Sequence, residues 1–156
     1  MSQTSHPLDN VDAWRGPTAS QATGLTLAAA RAVIAAVQAE ARAMRVALSC
    51  AVVDSGDQLV AFERMDAADL VTITLAQDKA FTALANRMPT RDLAPLVQPG
   101  AEFYGYDSVA AGRTIVFAGG MPLERDGVLV GAVGVSGGSS EEDQRAADAG
   151  VRAFGG

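Results

Sequence analysis

Residues 117–143, FAGGMPLERDGVLVGAVGVSGGSSEED, carry the strongest local signals for secondary structure in this chain. Its Asp126-Gly127 pair is typical of a two-residue β-hairpin turn, because both central residues of the favoured turn need a positive φ. A strand is therefore predicted to end before this pair and another to run over residues 128–136. Ser139 and Glu142 then have the spacing of a capping box, in which each side chain accepts a hydrogen bond from the other residue's backbone N–H. The stretch predicts a hairpin followed directly by a helix.

Glycines punctuate this stretch at positions that need an explanation. Gly131 and Gly134 lie inside the second strand, where glycine lowers stability, so they predict that something approaches the backbone closely. Glycine pairs at Gly119-Gly120 and Gly137-Gly138 flank the hairpin, and the missing side chains would let a ligand reach the backbone there. For the second pair a capped tight turn without a ligand is the alternative, because the three carboxylates that follow it already complement the helix dipole and would repel a phosphate.

Upstream of this stretch the apolar pattern predicts two longer helices and a short one. Thr26 has the side chain of an N-cap, and apolar residues follow it at three- and four-residue spacing, as in an amphipathic helix. Strands joined by tight turns pair antiparallel, and the helices must cover the sheet, which gives a layered α+β domain. The other predicted elements are strands 46–53, 58–64, 113–117 and 121–124, helices 71–87, 90–97 and 140–153, and a loop over 101–112.

Further sequence blocks carry a resemblance to a known family. They are LTLAAARA (25–32), AVVDSG (51–56), FERMD (62–66), DKAFTA (78–83) and QPG (98–100). In this order, and with the C-terminal stretch, the chain from about Leu25 onward resembles the GlcG/HbpS family, whose members include haem-binding proteins and a domain of cobalamin-related proteins. The resemblance implies a five-stranded antiparallel sheet flanked by helices, of the profilin-like type. We expect this domain over residues 24–156, after a flexible N-terminal tail over residues 1–23 that is polar, punctuated by proline and glycine and without periodicity.

Composition excludes several classes of partner. A net charge of −6 and the lack of any basic run argue against a nucleic-acid partner, which needs a basic patch. No stretch is long enough to span a membrane and the first 24 residues lack a signal-peptide core, so we expect a cytoplasmic protein with a small-molecule ligand. The single cysteine, Cys50, rules out an intrachain disulfide. The Ala-rich helices of the chain are expected to leave apolar surface exposed. Together with the family resemblance, this exposed surface predicts a homo-oligomer.

Two basic side chains and one tyrosine are the candidate ligand contacts. Lys79 lies opposite the apolar stripe of its helix, so it is either a solvated lysine or, as the family pattern implies, a pocket residue that pairs with a carboxylate or haem propionate or works as a base. Arg64 could hold a carboxylate through two hydrogen bonds, or form an internal ion pair with Glu63 or Asp66. Tyr104 belongs to an aromatic-rich loop that is either a pocket lid or a subunit contact.

These residues predict a ligand pocket between the second helix and the two glycine turns, with Arg64 and Lys79 supplying positive charge. Haem is a candidate ligand by resemblance. Iron is normally held by His, Cys, Met or Tyr, and the only histidine, His6, lies in the tail, so no histidine of the domain is available as a ligand.

Function stays open between two classes. The first is a small-molecule-binding protein of the GlcG/HbpS type, with haem or another anionic or planar ligand. The second is a metal-independent lyase, isomerase or hydrolase acting on a small organic acid in a catabolic pathway, since histidine-based catalytic sets and metal sites are excluded within the domain. The groups left for acid/base chemistry are Glu63, Asp66, Lys79, Tyr104, Glu142 and Asp143.

Overall fold

The computed structural model describes residues 24–155, so the predicted tail over residues 1–23 lies outside the described residues. Four helices and four strands make up this part of the chain, together with short 3₁₀ turns at Ala94–Val97, Tyr106–Ser108 and Ala110–Gly112. In chain order they are α1 (Leu27–Met44), β1 (Ser49–Asp54), β2 (Leu59–Arg64), α2 (Val71–Asn86), α3 (Thr90–Leu93), β3 (Gly120–Arg125), β4 (Val128–Ser136) and α4 (Ser140–Gly155). No helix within residues 24–155 is both long and apolar enough to cross a bilayer.

The strands form one antiparallel sheet in the order β2-β1-β4-β3. The predicted α+β class, with an antiparallel sheet flanked by helices, is confirmed. The sheet has four strands and not the five predicted, because residues 113–117 do not join it. Their backbone groups bond to helix α2 instead: Thr82 Oγ1 accepts the Ile115 N–H at 2.9 Å and lies 3.2 Å from the Arg113 carbonyl. A side chain of α2 thus takes the place of a neighbouring strand.

The sheet lies between two helical layers. Helices α1 and α4 pack together on one face, over a core that includes Val33, Val37 and Val133, and α2 covers the other face. At Gly134 a Cβ would lie 1.9 Å from the Ala76 carbonyl oxygen of α2. The prediction that something approaches the strand backbone there is confirmed, and the approaching group is the backbone of α2.

The local motifs of the C-terminal stretch form as predicted. Asp126 and Gly127 have φ values of 53° and 74°, as the hairpin turn between β3 and β4 requires. The capping box is complete, because Ser139 N donates to Glu142 Oε2 at 2.8 Å and Glu142 N donates to Ser139 Oγ at 3.3 Å. This cap fixes where α4 leaves the sheet, and so it fixes the direction in which Asp143 points.

Candidate functional site

Helix α2 is buried on two sides, and its second buried side is polar. Thr72, Lys79 and Thr82 are each less than 5% exposed. The Thr72 and Ser49 hydroxyls are 2.8 Å apart, and at the other end of α2 Asn86 Oδ1 accepts a hydrogen bond from the Tyr106 hydroxyl at 2.9 Å. The stretch that precedes β3 therefore covers this polar stripe at Asn86, Thr82 and Lys79, whereas Thr72 contacts β1. The alternative that Lys79 is a solvated surface lysine is wrong.

Lys79 is fully buried and has a carboxylate partner. Its Nζ donates to Asp143 Oδ2 at 2.7 Å and to the Val135 carbonyl at 2.8 Å, and it lies 4.9 Å from the centre of the Phe117 ring. The side-chain exposures are 0% for Lys79 and 4% for Asp143. This buried ion pair joins α2 to α4 around the end of β3 and β4.

Asp143 is held from several directions. Its Oδ1 accepts the Gly138 N–H at 2.9 Å while Oδ2 accepts from Lys79. Burial raises the pKa of Asp143, against the opposing effect of the Lys79 charge and of the backbone N–H groups of Gly137 and Gly138. Burial lowers the pKa of Lys79, against the opposing effect of the Asp143 charge and hydrogen bond.

Both shifts bring the two groups closer in proton affinity than they are in water. The 2.7 Å hydrogen bond between them is within the distance that acid/base chemistry requires of two groups that pass a proton. The pair therefore joins two of the six groups that the sequence left for such chemistry.

The predicted glycine turns lie around this pair, and protein atoms fill the space beside them. A Cβ on Gly119 would lie 2.5 Å from the Val135 carbonyl and 3.1 Å from Lys79 Nζ, and one on Gly120 would lie 2.4 Å from the Lys79 carbonyl. A Cβ on Gly137 would lie 2.4 Å from the Ala47 carbonyl, and one on Gly138 would lie 2.8 Å from the Glu142 carboxylate. Packing of the chain against itself explains these glycines, and contact with a ligand stays a prediction.

Two predicted ligand contacts lie apart from the pair. Arg64 is exposed at the end of β2, where it is in register with Ser49, which in turn is in register with Ser136 of β4. Two strand spacings, about 10 Å, therefore separate its backbone from β4. Tyr104 is 68% exposed, and the tyrosine that contacts α2 is Tyr106. The joint cation site of Arg64 and Lys79, and a ligand role for Arg64 or Tyr104, stay predictions.

An open groove of about 430 Å³ lies beside the buried pair, on the outer side of α4. One wall is a face of α4 that presents Gln144, Arg145, Asp148 and Arg152, and Arg91 and Ala118 line the groove as well. Gln144 follows Asp143 in the chain, and Ala118 precedes Gly119, which contacts Lys79. The groove therefore lies next to the ion pair, because its lining residues Gln144 and Ala118 are adjacent in sequence to Asp143 and Gly119.

The groove matches part of what a haem would need. Arginines suit propionate groups, because guanidinium binds carboxylate through paired hydrogen bonds. Iron requires His, Cys, Met or Tyr, and no such residue lines the groove; residues 24–155 contain no histidine, and Cys50 is fully buried in β1. Nor does the described part of the chain bring three metal-ligating side chains together elsewhere. The lining therefore fits the carboxylates of a haem and does not fit its iron.

Sequence reasoning missed the partner of Lys79 and the arginine-lined groove. One signal for the first was available: Lys79 is the only lysine among the 12 basic residues of the chain. Arginine serves at every other basic position, so a single lysine indicates a site where a compact ammonium group is required. The groove had no comparable signal, because Arg91 and Arg152 come from segments 61 residues apart.

Comparison with known proteins assigns the family. The profile of the family described as haem degrading protein HbpS-like matches residues 25–152. An uncharacterized 15.0 kDa protein of Citrobacter freundii is 37% identical over 86% of this chain and 94% of its own length. The corrinoid adenosyltransferase PduO of Salmonella typhimurium is 40% identical over 73% of this chain, which corresponds to only 34% of PduO.

Among solved structures, a crystal structure of a PduOC–haem complex superimposes with a TM-score of 0.81 at 36% identity, covering 83% of this chain and 94% of that one. The profile match extends over nearly all of the described domain, and the fold agrees with it. The chain belongs to the HbpS-like family.

Proposed function

We propose that this chain is a small-molecule-binding protein whose ligand is an organic anion with a planar or elongated body, with haem as the first ligand to test. The observation that carries the proposal is the open groove with three arginines, Arg91, Arg145 and Arg152, beside the buried Lys79–Asp143 pair. Pockets that bind small molecules typically combine apolar walls with a few placed polar groups. The similarity to a protein crystallised with haem supports the choice of first ligand.

Titration with haemin and with metal-free protoporphyrin IX tests this proposal. Both carry the same propionates, and only haemin carries iron. Because the groove offers carboxylate partners and no iron ligand, we expect both porphyrins to bind with similar affinity in absorbance and fluorescence titrations. Arg91→Gln is expected to weaken both, and Arg31→Gln, at an exposed arginine of α1 outside the groove, serves as the control. If neither porphyrin nor any small organic anion binds, the proposal is wrong.

A second candidate is a metal-independent enzyme acting on a small organic acid. The observation that favours it is the buried Lys79–Asp143 contact, in which opposite pKa shifts prepare the two groups for proton transfer. In such a reaction the Lys79 ammonium would first pass a proton to Asp143 along their hydrogen bond, and the neutral amine that results would accept a proton from the substrate.

Proton NMR of the protein mixed with a panel of organic acids tests the second candidate. Loss of a substrate signal, or exchange of a substrate C–H in D₂O, is expected with the wild type and not with Asp143→Asn. An unchanged rate in that variant would exclude the pair from the chemistry. A folded wild-type protein that turns over no acid of the panel leaves binding as the supported function.

We further infer that the protein is a homo-oligomer. Leu70 and Val71 are 74% and 61% exposed at the start of α2, a degree of apolar exposure that a second subunit would cover. The resemblance also supports a profilin-like fold type and a role in catabolism, and a cytoplasmic location stays a prediction. Light scattering that returned the monomer mass of 16.0 kDa would contradict self-association.

A further inference from the structure

We infer that the groove on α4 binds an elongated dicarboxylate and selects it by the distance between two arginines. The inference rests on the proposed function and names its ligand class. It depends on which of the three arginines are available and on where they lie along α4.

Only two of the three groove arginines are without a close carboxylate partner. Arg145 Nε donates a short hydrogen bond to Glu40 of α1. Arg91 has only a loose contact with its neighbour Asp92, at 3.6 Å, and Arg152 takes part in no ion pair within residues 24–155. A ligand carboxylate would therefore find unneutralised guanidinium groups at Arg91 and Arg152.

Two acidic residues line the groove, Glu141 and Asp148, and neither forms an ion pair with Arg152 within residues 24–155. Asp148 lies one turn before Arg152 on α4, but its carboxylate accepts a hydrogen bond from Gln144 Nε2 at 2.8 Å. Gln144 is 6% exposed and also lies 3.4 Å from Gly119 N through its Oε1. These contacts hold Asp148 on the side of Gln144.

Backbone contacts indicate that the two available arginines come from opposite ends of the groove. Thr90, the residue before Arg91, accepts the Gly120 N–H at 3.0 Å, and Gly119 N in turn donates to Gln144, so Arg91 lies at the Gln144 end of α4. Arg152 lies eight residues after Gln144 on α4, and this backbone separation corresponds to about 12 Å along the helix axis. Ala118 and the aliphatic parts of the arginines supply apolar surface in the groove for the body of such a ligand. The ligand class is therefore an organic acid with two carboxylates separated by an extended or planar apolar segment.

Calorimetric titration with matched acids tests the inference on the full chain. Sebacate and decanoate have the same chain length and differ in the second carboxylate, and succinate has two carboxylates with a short spacer. We expect sebacate to bind about tenfold tighter than either of the others, the factor for one charge-assisted hydrogen-bonded contact. Arg91→Gln and Arg152→Gln are each expected to remove that factor, and Arg145→Gln, whose side chain is already paired, to leave it nearly unchanged.

The contrary outcomes are distinct. The inference is wrong if decanoate binds as tightly as sebacate, if Arg145→Gln costs as much as Arg91→Gln, or if no dicarboxylate binds. Should a porphyrin bind in any of these cases and lose affinity in Arg91→Gln, small-molecule binding in the groove stands and only the dicarboxylate inference is wrong; an unchanged porphyrin affinity in both variants would place the binding site outside the groove. All three arginines are exposed, so circular dichroism is expected to show folded variants.

Discussion

Replacing Lys79 by methionine is the most informative single change in this protein. Methionine keeps most of the packing volume of the lysine stem and removes the ammonium group. Asp143, whose side chain is 4% exposed, would then be a buried carboxylate without its counter-ion. Breaking a buried ion pair by removing one partner costs about 3–5 kcal/mol in unfolding free energy.

The expected loss is measurable by thermal and chemical unfolding. At roughly 2–4 °C per kcal/mol for a domain of this size, the melting temperature should fall by roughly 6–20 °C. Arg64→Met is the matched control, because it removes the exposed cation that the sequence grouped with Lys79. Surface changes of that kind usually stay within about 0.5 kcal/mol.

A double-mutant cycle separates the ion pair from packing. The variant Lys79→Met with Asp143→Asn removes both charges, so it should be more stable than the sum of the single losses predicts, by about 0.5–3 kcal/mol. Purely additive losses, or a loss below about 1 kcal/mol for Lys79→Met alone, would contradict a stabilising ion pair, since either result means that the two side chains do not depend on each other.

Three further predictions concern other parts of the fold. Gly134→Ala should destabilise the domain by about 1–3 kcal/mol or more in denaturant unfolding because its methyl group would overlap the Ala76 carbonyl, and Gly56→Ala, with its nearest contact at 3.4 Å, should change little. Burial raises the pKa of the Cys50 thiol, so this cysteine should resist alkylation in the native protein and react on unfolding, as followed by mass spectrometry; rapid native labelling would contradict its burial. Hydrogen bonds from Ser139 lower the pKa of Glu142 below its usual 4.5, so the ionised Glu142 should stabilise the fold above pH 4.5 and lose this effect as the pH falls through the lowered pKa. The melting-temperature difference between wild type and Glu142→Gln should therefore shrink over that pH range. A difference that stays constant would show that Glu142 ionisation is not coupled to stability.

Local rules were sufficient for much of the fold. The turn at Asp126-Gly127 and the cap at Ser139 depend on residues within four positions of each other, so their chemistry is visible in the sequence. The strand prediction for residues 113–117 was wrong for the opposite reason. Their composition is β-like, but Thr82, more than 30 residues earlier, supplies the hydrogen bonds that decide their conformation.

The candidate site was harder to predict than the fold, for a physical reason. Apolar periodicity identifies one buried face of a helix, and α2 has a second buried face that is polar. Lys79 is satisfied there by Val135 and Asp143, which lie 56 and 64 residues away in sequence. Nothing local to the helix distinguishes such a lysine from a solvated one, although its being the only lysine of the chain does single it out.

The geometry around Lys79 bears on the choice between small-molecule binding and acid/base catalysis. A Cβ on Gly119 would already lie 3.1 Å from Nζ, so the planar fork of an arginine would not fit between Gly119 and Val135. Close packing therefore accounts for a lysine at this position without any chemistry. Catalysis by the pair would require a substrate to reach a side chain of 0% exposure by displacing Phe117 or Ala118, whereas binding in the groove requires no movement of the buried pair. The binding function makes the smaller demand on this structure, and it is the one that the groove arginines support directly.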